Sequence, residues 1–315
     1  VTVAAAPLDA TRAALDPAAL GPDCRVRRDE PLSRHTSMRV GGPADLFCEV
    51  ETEQALGTLV RRACALQLPV FLLGGGTNLV VSDRGVRGVT IKLGRSFART
   101  EWLAEDASGA DVVAGAAANF KRVVLEICSR GYRGVEFGEG IPGTVGGGVR
   151  MNAGAFGGEI ADVTVAIRGV SAAGERVRIP RADLGFAYRR LDLPRGFAVT
   201  ALELRVARGE PEEIARAISS AKGRRGRHQP LGQPNAGSIF KNPPGDFAGR
   251  LIELCGLKGH RVGGALVSPQ HANFIVNAGG AKASEVRDLM REVRDTVWRR
   301  RGVWLEPEVR LVGEW

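Results

Sequence analysis

Apolar and polar positions change their period several times along the chain. Residues 46–50 (LFCEV) read as a strand. Between 54 and 66, Leu56, Leu59, Val60 and Ala63 recur three and four apart, which predicts a helix with one apolar stripe. A short apolar strand at 69–73 runs into GGGTN, and another strand is predicted at 88–93. This β-α-β-β order implies a small α+β layer. From 111 to 204 the pattern shortens. Strands are predicted at 112–115, 163–170, 175–179 and 198–206, a helix at 119–129, and a glycine-dense passage at 138–160 that cannot be one regular helix or strand throughout. A third texture begins near Glu210. Helices are predicted at 211–227 and 246–255, the second stopped by Gly256, with a strand at 272–277. At 284–300, Val286, Leu289, Met290, Val293 and Val297 share one face of a helix for which Ser284 is the expected N-cap. A last strand is predicted over 303–312.

A chain of 315 residues has room for about two or three cores of this kind. No apolar run reaches the roughly 20 residues of a membrane helix. The Ala-rich start carries Asp9, Arg12 and Asp16 and reads as a short leader over 1–34, without a signal peptide. The five cysteines are odd in number, widely spaced and without a CxxC pair, which argues against a zinc site or a disulfide framework and fits the cytoplasm. The net charge of +9 admits an Arg-rich solvated surface, small polyanions such as nucleotides, or nucleic acid. Aromatics are only 5%, and the basic runs at 224–227 and 299–301 contain none, so nucleic acid fits worst.

Three stretches could carry chemistry. LLGGGTNLVVSD (72–83) is either a tight structural turn or a phosphate cradle of exposed amides. It lacks the third glycine of GxGxxG, and the chain has no GxxxxGK[ST]. The 138–160 passage adds a second glycine surface with Thr144 and Asn152, suited to a dinucleotide or to backbones crossing without room for Cβ atoms. QPNAGSIFKNPPGDFAG (233–249) holds Ser238 in a turn shaped by proline and glycine; the hydroxyl either bonds its own backbone or is held for another purpose. Arg189 and Glu308 are polar groups whose ordinary reading is a solvated surface. His35, His228, His260 and His271 sit in no metal-ligand spacing, and no Ser-His-Asp set is signalled.

Taken in order, HTSMRVGGPAD, LLGGGTNLVVSD, EFGEGIPGTVGGGVRMNAGAFGGEI, AYR, NAGSIFKNP, AGRLIELCGLKGHRVGGALVSPQHANFIVN and WLEPEVRLVG resemble the UDP-N-acetylenolpyruvoylglucosamine reductase family, from about His35 to the end. The resemblance implies an α+β fold of the vanillyl-alcohol-oxidase type: FAD-binding subdomains at 35–95 and 96–208, a substrate domain at 209–302, and a C-terminal strand at 303–315 that returns Glu308 to the site. It implies non-covalent FAD, NADPH as hydride donor, and a UDP-sugar bearing an enolpyruvyl group, reduced to UDP-N-acetylmuramate for peptidoglycan and hence for cell shape and division. Gly74, Gly75, Gly76, Thr77, Asn78, Leu79, Ile141, Gly143, Thr144, Gly146, Gly147, Asn152, Ala153, Gly154 and Ala155 would contact FAD. Arg189 and Glu308 would stabilise the enolate and Ser238 would supply the proton. Tyr188, His228, Lys241, Asn242 and His271 would meet substrate, with no metal. A cytoplasmic monomer bound to neither membrane nor nucleic acid is expected. Two positions depart from the family words: Leu191 replaces a serine in YRxS, and His228 replaces a lysine in KQP, which predicts substrate affinity falling between about pH 6 and 8. With only two tyrosines, the chain resembles the branch without a tyrosine-bearing loop over the substrate. Other readings are an oxidase of the same fold with covalent flavin and an Arg-rich nucleic-acid binder.

Overall fold

The computed structural model describes residues 20–315 except 231, and the side chains of 227 and 228 are also outside the description. The leader and the side chain of His228, expected to meet substrate, therefore lie largely outside the described residues, although Cys24–Pro31 is a strand inside the stretch read as leader. The chain forms two compact units. One holds residues up to Arg28, Asp45–Gly75 and Gly88–Gly223; the other holds Asp29–Ala44, Gly76–Arg87 and Arg224–Trp315.

The first unit contains two layers. A four-stranded sheet runs in the order Cys24–Pro31, Pro43–Val50, Val86–Leu93, Val70–Leu73. Against it lies the helix Glu53–Ala65, opened by Thr52, whose Oγ1 accepts from the Ala55 amide at 3.2 Å. Leu56 and Leu59 of this helix and Leu46 and Ile91 of the sheet are fully buried in one cluster, as the helical stripe predicts. The second sheet has six strands. Arg176–Pro180, Thr164–Val170, Ala198–Arg208, Gly109–Gly115 and Thr100–Glu105 follow one another, and Tyr132–Arg133 also pairs with Ala198–Arg208. All its pairings are antiparallel. The helix Phe120–Ser129, capped by Asn119, buries Phe120, Val123, Val124 and Ile127 in its core.

The glycine-dense passage resolves into short regular pieces. They are the helix Val145–Arg150, the two-residue strands Gly154–Ala155 and Gly158–Glu159, and a helical turn at Ile160–Val163. Glycine's poor helix propensity is offset because Thr144 Oγ1 accepts from the Gly147 amide at 3.4 Å and Val145 and Val149 are buried. Near residue 190 the chain makes a hairpin, Gly185–Ala187 with Arg190–Asp192.

The second unit is a four-stranded antiparallel sheet in the order Asn235–Ser238, Phe274–Asn277, Ala265–Val267, Arg261–Val262. The helices Ala248–Leu254 and Ala283–Arg301 bury their apolar faces in its core. Val286, Leu289 and Val297 are fully buried there. Two expectations need correction. Ser284 is not the N-cap: the helix begins at Ala283, and Asp83 accepts from the Ala283 and Ser284 amides at 2.8 and 2.9 Å. The expected strand 303–312 shortens to Arg310–Val312, parallel to Leu79–Val81. Pro307 interrupts it, because proline has no N–H for a ladder; it makes only an isolated bridge with Phe240.

Candidate active site

In the first unit the two glycine stretches meet backbone to backbone. A Cβ on Gly75 would stand 2.7 Å from Gly143 Cα, and one on Gly74 would stand 2.8 Å from Thr144 Oγ1. Only glycine fits at that approach. The Gly146 amide is bound to the Ala116 carbonyl at 2.9 Å, and the Gly147 amide is taken by Thr144. Asn152 is fully buried. Its Oδ1 accepts from the Ala161 amide and its Nδ2 donates to the Ala187 carbonyl, both at 3.1 Å. Ile141 and Ala153 are partly buried against the core, while Gly154 and Ala155 form one side of the two-residue ladder. Glu139, just ahead of the loop, is 2% exposed; its Oε1 faces Lys121 Nζ at 3.2 Å, and its buried Oε2 has no hydrogen-bond partner among the described residues.

Tyr188 and Arg189 form the tip of the hairpin. Arg189 is half-buried at φ 55°, and its guanidinium lies 5.0 Å from the Tyr188 ring centre. The next arginine, Arg190, is bound bidentately to Asp192 at 2.8 and 2.7 Å. Leu191, where the family word has serine, is 1% exposed and belongs to the core.

In the second unit, Gly76 has φ +65°, and a Cβ there would run into the His35 carbonyl. Ser37 donates through its amide to Gly76 O at 3.1 Å and through Oγ to Asn235 O at 2.6 Å, tying the glycine loop to the strand that ends at Ser238. Leu79 opens the strand paired with Arg310. The Ser238 turn is built by others: Asn235 Oδ1 accepts from the Gly237 amide at 2.9 Å, with Gly237 at φ +77°. Asn273, 4% exposed, exchanges two bonds with the Phe240 backbone at 3.0 and 2.8 Å, and its carbonyl accepts from Ile239 N at 2.9 Å. Ser238 Oγ itself makes no hydrogen bond to any described residue.

Glu308 is brought to the same turn. Its amide donates to Ile239 O at 2.8 Å, and its carbonyl accepts from Asn78 Nδ2 at 3.1 Å. Glu306 holds the Lys241 ammonium at 2.5 Å. Asn242 Oδ1 accepts from the Ala248 amide at 3.1 Å, at the start of a helix. His271 Nδ1 accepts from the Asn273 amide at 3.1 Å, which leaves the ring proton on Nε2 in the neutral form, and the ring meets Phe274 edge-on at 4.9 Å. Ser37, Asn78's hold on Glu308, Asp83 and Asn273 were not foreseen as structural ties. A buried polar residue inside an apolar run, as in HANFIVN, is the signal that could have exposed Asn273.

Two glycine surfaces with Thr144 and a buried carboxylate oxygen lacking a partner suit a cofactor with a long polar axis and hydroxyl donors. A profile described as an FAD binding domain matches residues 44–180. The fold and this site define a flavoprotein oxidoreductase that uses FAD. A second profile, the C-terminal domain of UDP-N-acetylenolpyruvoylglucosamine reductase, matches residues 229–312. Enzymes of that name from Anaeromyxobacter sp. (strain Fw109-5) and Symbiobacterium thermophilum are 47% and 48% identical to this chain. Each alignment covers 92% of this chain, and 89% and 92% of those proteins. The crystal structure of the Thermus caldophilus enzyme (MurB) matches with a TM-score of 0.79 at 38% identity, over 92% of this chain and 99% of that one. The chain belongs to the UDP-N-acetylenolpyruvoylglucosamine reductase family. Among the described residues no helix is long and apolar enough to cross a membrane, and no cluster of metal-ligating side chains occurs.

Proposed function

We propose that this protein reduces the enolpyruvyl group of UDP-N-acetyl-3-O-(1-carboxyvinyl)-glucosamine to UDP-N-acetylmuramate, with NADPH as donor, in peptidoglycan precursor synthesis. The observation that carries the reading is the Ser238 turn: a hydroxyl without a hydrogen-bond partner among the described residues, on a backbone fixed from both sides, with Glu308 tethered to the next residue. FAD, held in this reading by the loop 74–79 and by residues 141–155, would supply the chemistry of hydride transfer from NADPH to the methylene carbon of the enolpyruvyl group.

The chain's residues do the rest. Addition of the hydride pushes the double-bond electron pair onto the neighbouring carbon and into the carboxylate as an enolate. Arg189 stabilises this charge with its guanidinium. Glu308 shares with Arg189 in stabilising the enolate in this reading. Ser238 then transfers its proton to the carbanionic carbon; a C–H bond forms, the O–H bond breaks, and the hydroxyl is reprotonated by water. A serine hydroxyl is a weak acid, so its usefulness depends on being held on target. Lys241, Asn242, His271 and Tyr188 contact the UDP-sugar in this reading, with residues 209–302 as the substrate-binding part.

The test is an anaerobic absorption spectrum of the purified protein, followed by NADPH and then the enolpyruvyl substrate. Bleaching by NADPH and recovery of the oxidised spectrum with substrate support the reading. A protein that bleaches but is not reoxidised by this substrate refutes it.

A further inference from the structure

We infer that Arg150 and Asn152 form a clamp that positions Arg189, an inference resting on the role proposed above for Arg189. The hairpin that carries Arg189 has two three-residue strands and a two-residue tip. A hairpin this short does not hold itself in water. Its residues are exposed or half-buried except Leu191. Arg189 also sits at φ 55°, a left-handed conformation that non-glycine residues disfavour and that persists only where the surroundings enforce it.

Two side-chain hydrogen bonds to the hairpin backbone come from one short segment. Arg150 Nη1 donates to the Leu191 carbonyl at 2.5 Å, and Asn152 Nδ2 donates to the Ala187 carbonyl at 3.1 Å. Ala187 immediately precedes the tip, and Leu191 is the second residue after it, so the two bonds grip the hairpin on both strands. Asn152 is itself immobilised: it is fully buried and its Oδ1 is bound to the Ala161 amide. Leu191 adds a buried side chain at the same point as the Arg150 bond. Arg190 is excluded from the same role by its bidentate pairing with Asp192. Arg150 and Asn152 thus act as positioning residues, through the backbone that carries Arg189.

Arg150→Met keeps the apolar stem and removes the donor, whereas Arg150→Lys keeps a donor. Both are made in the FAD-loaded full chain. Rapid mixing separates reduction by NADPH from reoxidation by the enolpyruvyl substrate, and amide exchange is followed across 185–192. Arg150→Met should leave the NADPH step unchanged, lower the melting temperature by no more than a few degrees, slow reoxidation at saturating substrate by about tenfold or more, and speed exchange at 185–192. Arg150→Lys should recover most of the rate. A wild-type saturating rate in Arg150→Met, or equal losses in both half-reactions, overturns the clamp. If wild-type protein is inert toward the enolpyruvyl substrate, the proposed function fails. The clamp is then decided by exchange alone, and unchanged protection at 185–192 in Arg150→Met overturns it.

Discussion

Replacing Asn78 by alanine separates two uses of the GGGTN loop. By family resemblance this residue belongs to the FAD cradle; in the fold its Nδ2 holds the Glu308 carbonyl at 3.1 Å. The substitution removes that bond and keeps the backbone ties, Glu308 N to Ile239 O at 2.8 Å and Arg310 N to Asn78 O at 3.0 Å. A neutral hydrogen bond contributes about 1 kcal/mol net, and leaving a buried acceptor unmet costs about 1–3 kcal/mol. Glu308 is half-buried, so water can reach its carbonyl and the lower figure applies. A loss of ~1 kcal/mol corresponds to a melting point lower by about 1–2 °C in a chain of this length. If the loss appears wholly in the transition state, kcat falls about fivefold. The assay pairs a fluorescence titration of apoprotein with FAD and steady-state kinetics at saturating FAD. The expected result is an unchanged FAD Kd with reduced kcat. An FAD Kd raised about tenfold or more with kcat intact would refute the reasoning, since that amounts to ~1.4 kcal/mol of lost cofactor binding.

Ser238→Ala should retain NADPH-driven flavin reduction and slow substrate reduction by about 10²–10⁴-fold, the usual weight of a positioned acid; unimpaired turnover would remove Ser238 from the mechanism. Asp83→Ala should destabilise the fold by ~1–2 kcal/mol through loss of a helix cap, at the lower end because the carboxylate is exposed and screened. Burial pushes the Asp83 carboxyl up, but the Ser284 and Ala283 amides and Lys282 outweigh it and hold it below its ordinary range. A depressed folded-state pKa means that this contribution is full above the unfolded value of about 3.9 and is lost as pH falls through the folded value. Urea melts should therefore show a constant gap between wild type and Asp83→Ala from neutral pH to about pH 5, closing in acid. A gap that widens in acid would contradict the assignment.

Much of the fold was legible because periodicity is a local signal. The apolar positions at 286, 289, 290, 293 and 297 became the buried face of Ala283–Arg301. The GGG and GIPGTVGGG words were legible as two surfaces without side chains, and the crossing at Gly75 and Gly143 bears out the close-approach reading. The boundaries of that same helix were less legible. Glu285 caps it locally by accepting from the Lys282 amide, but the Ala283 and Ser284 amides are met by Asp83, 200 residues away, which no local window could contain.

The sequence by itself determined the elements, the two glycine surfaces and, through its family words, the nomination of Arg189, Ser238 and Glu308. Tertiary structure decided which polar side chains are committed to holding the fold. Asn152, Asn242 and Asp83 satisfy backbone groups. Arg190 is neutralised by Asp192, whereas its neighbour Arg189 is turned to the hairpin tip. Ser238 keeps its hydroxyl because Asn235 and Asn273 shape its turn. The physical reason is that a hydrogen bond depends on distance and angle between groups whose separation along the chain is unrestricted: Asn78 finds Glu308 across 230 positions. Residue type announces what a side chain can donate or accept, and only the folded chain determines whether that capacity is already taken.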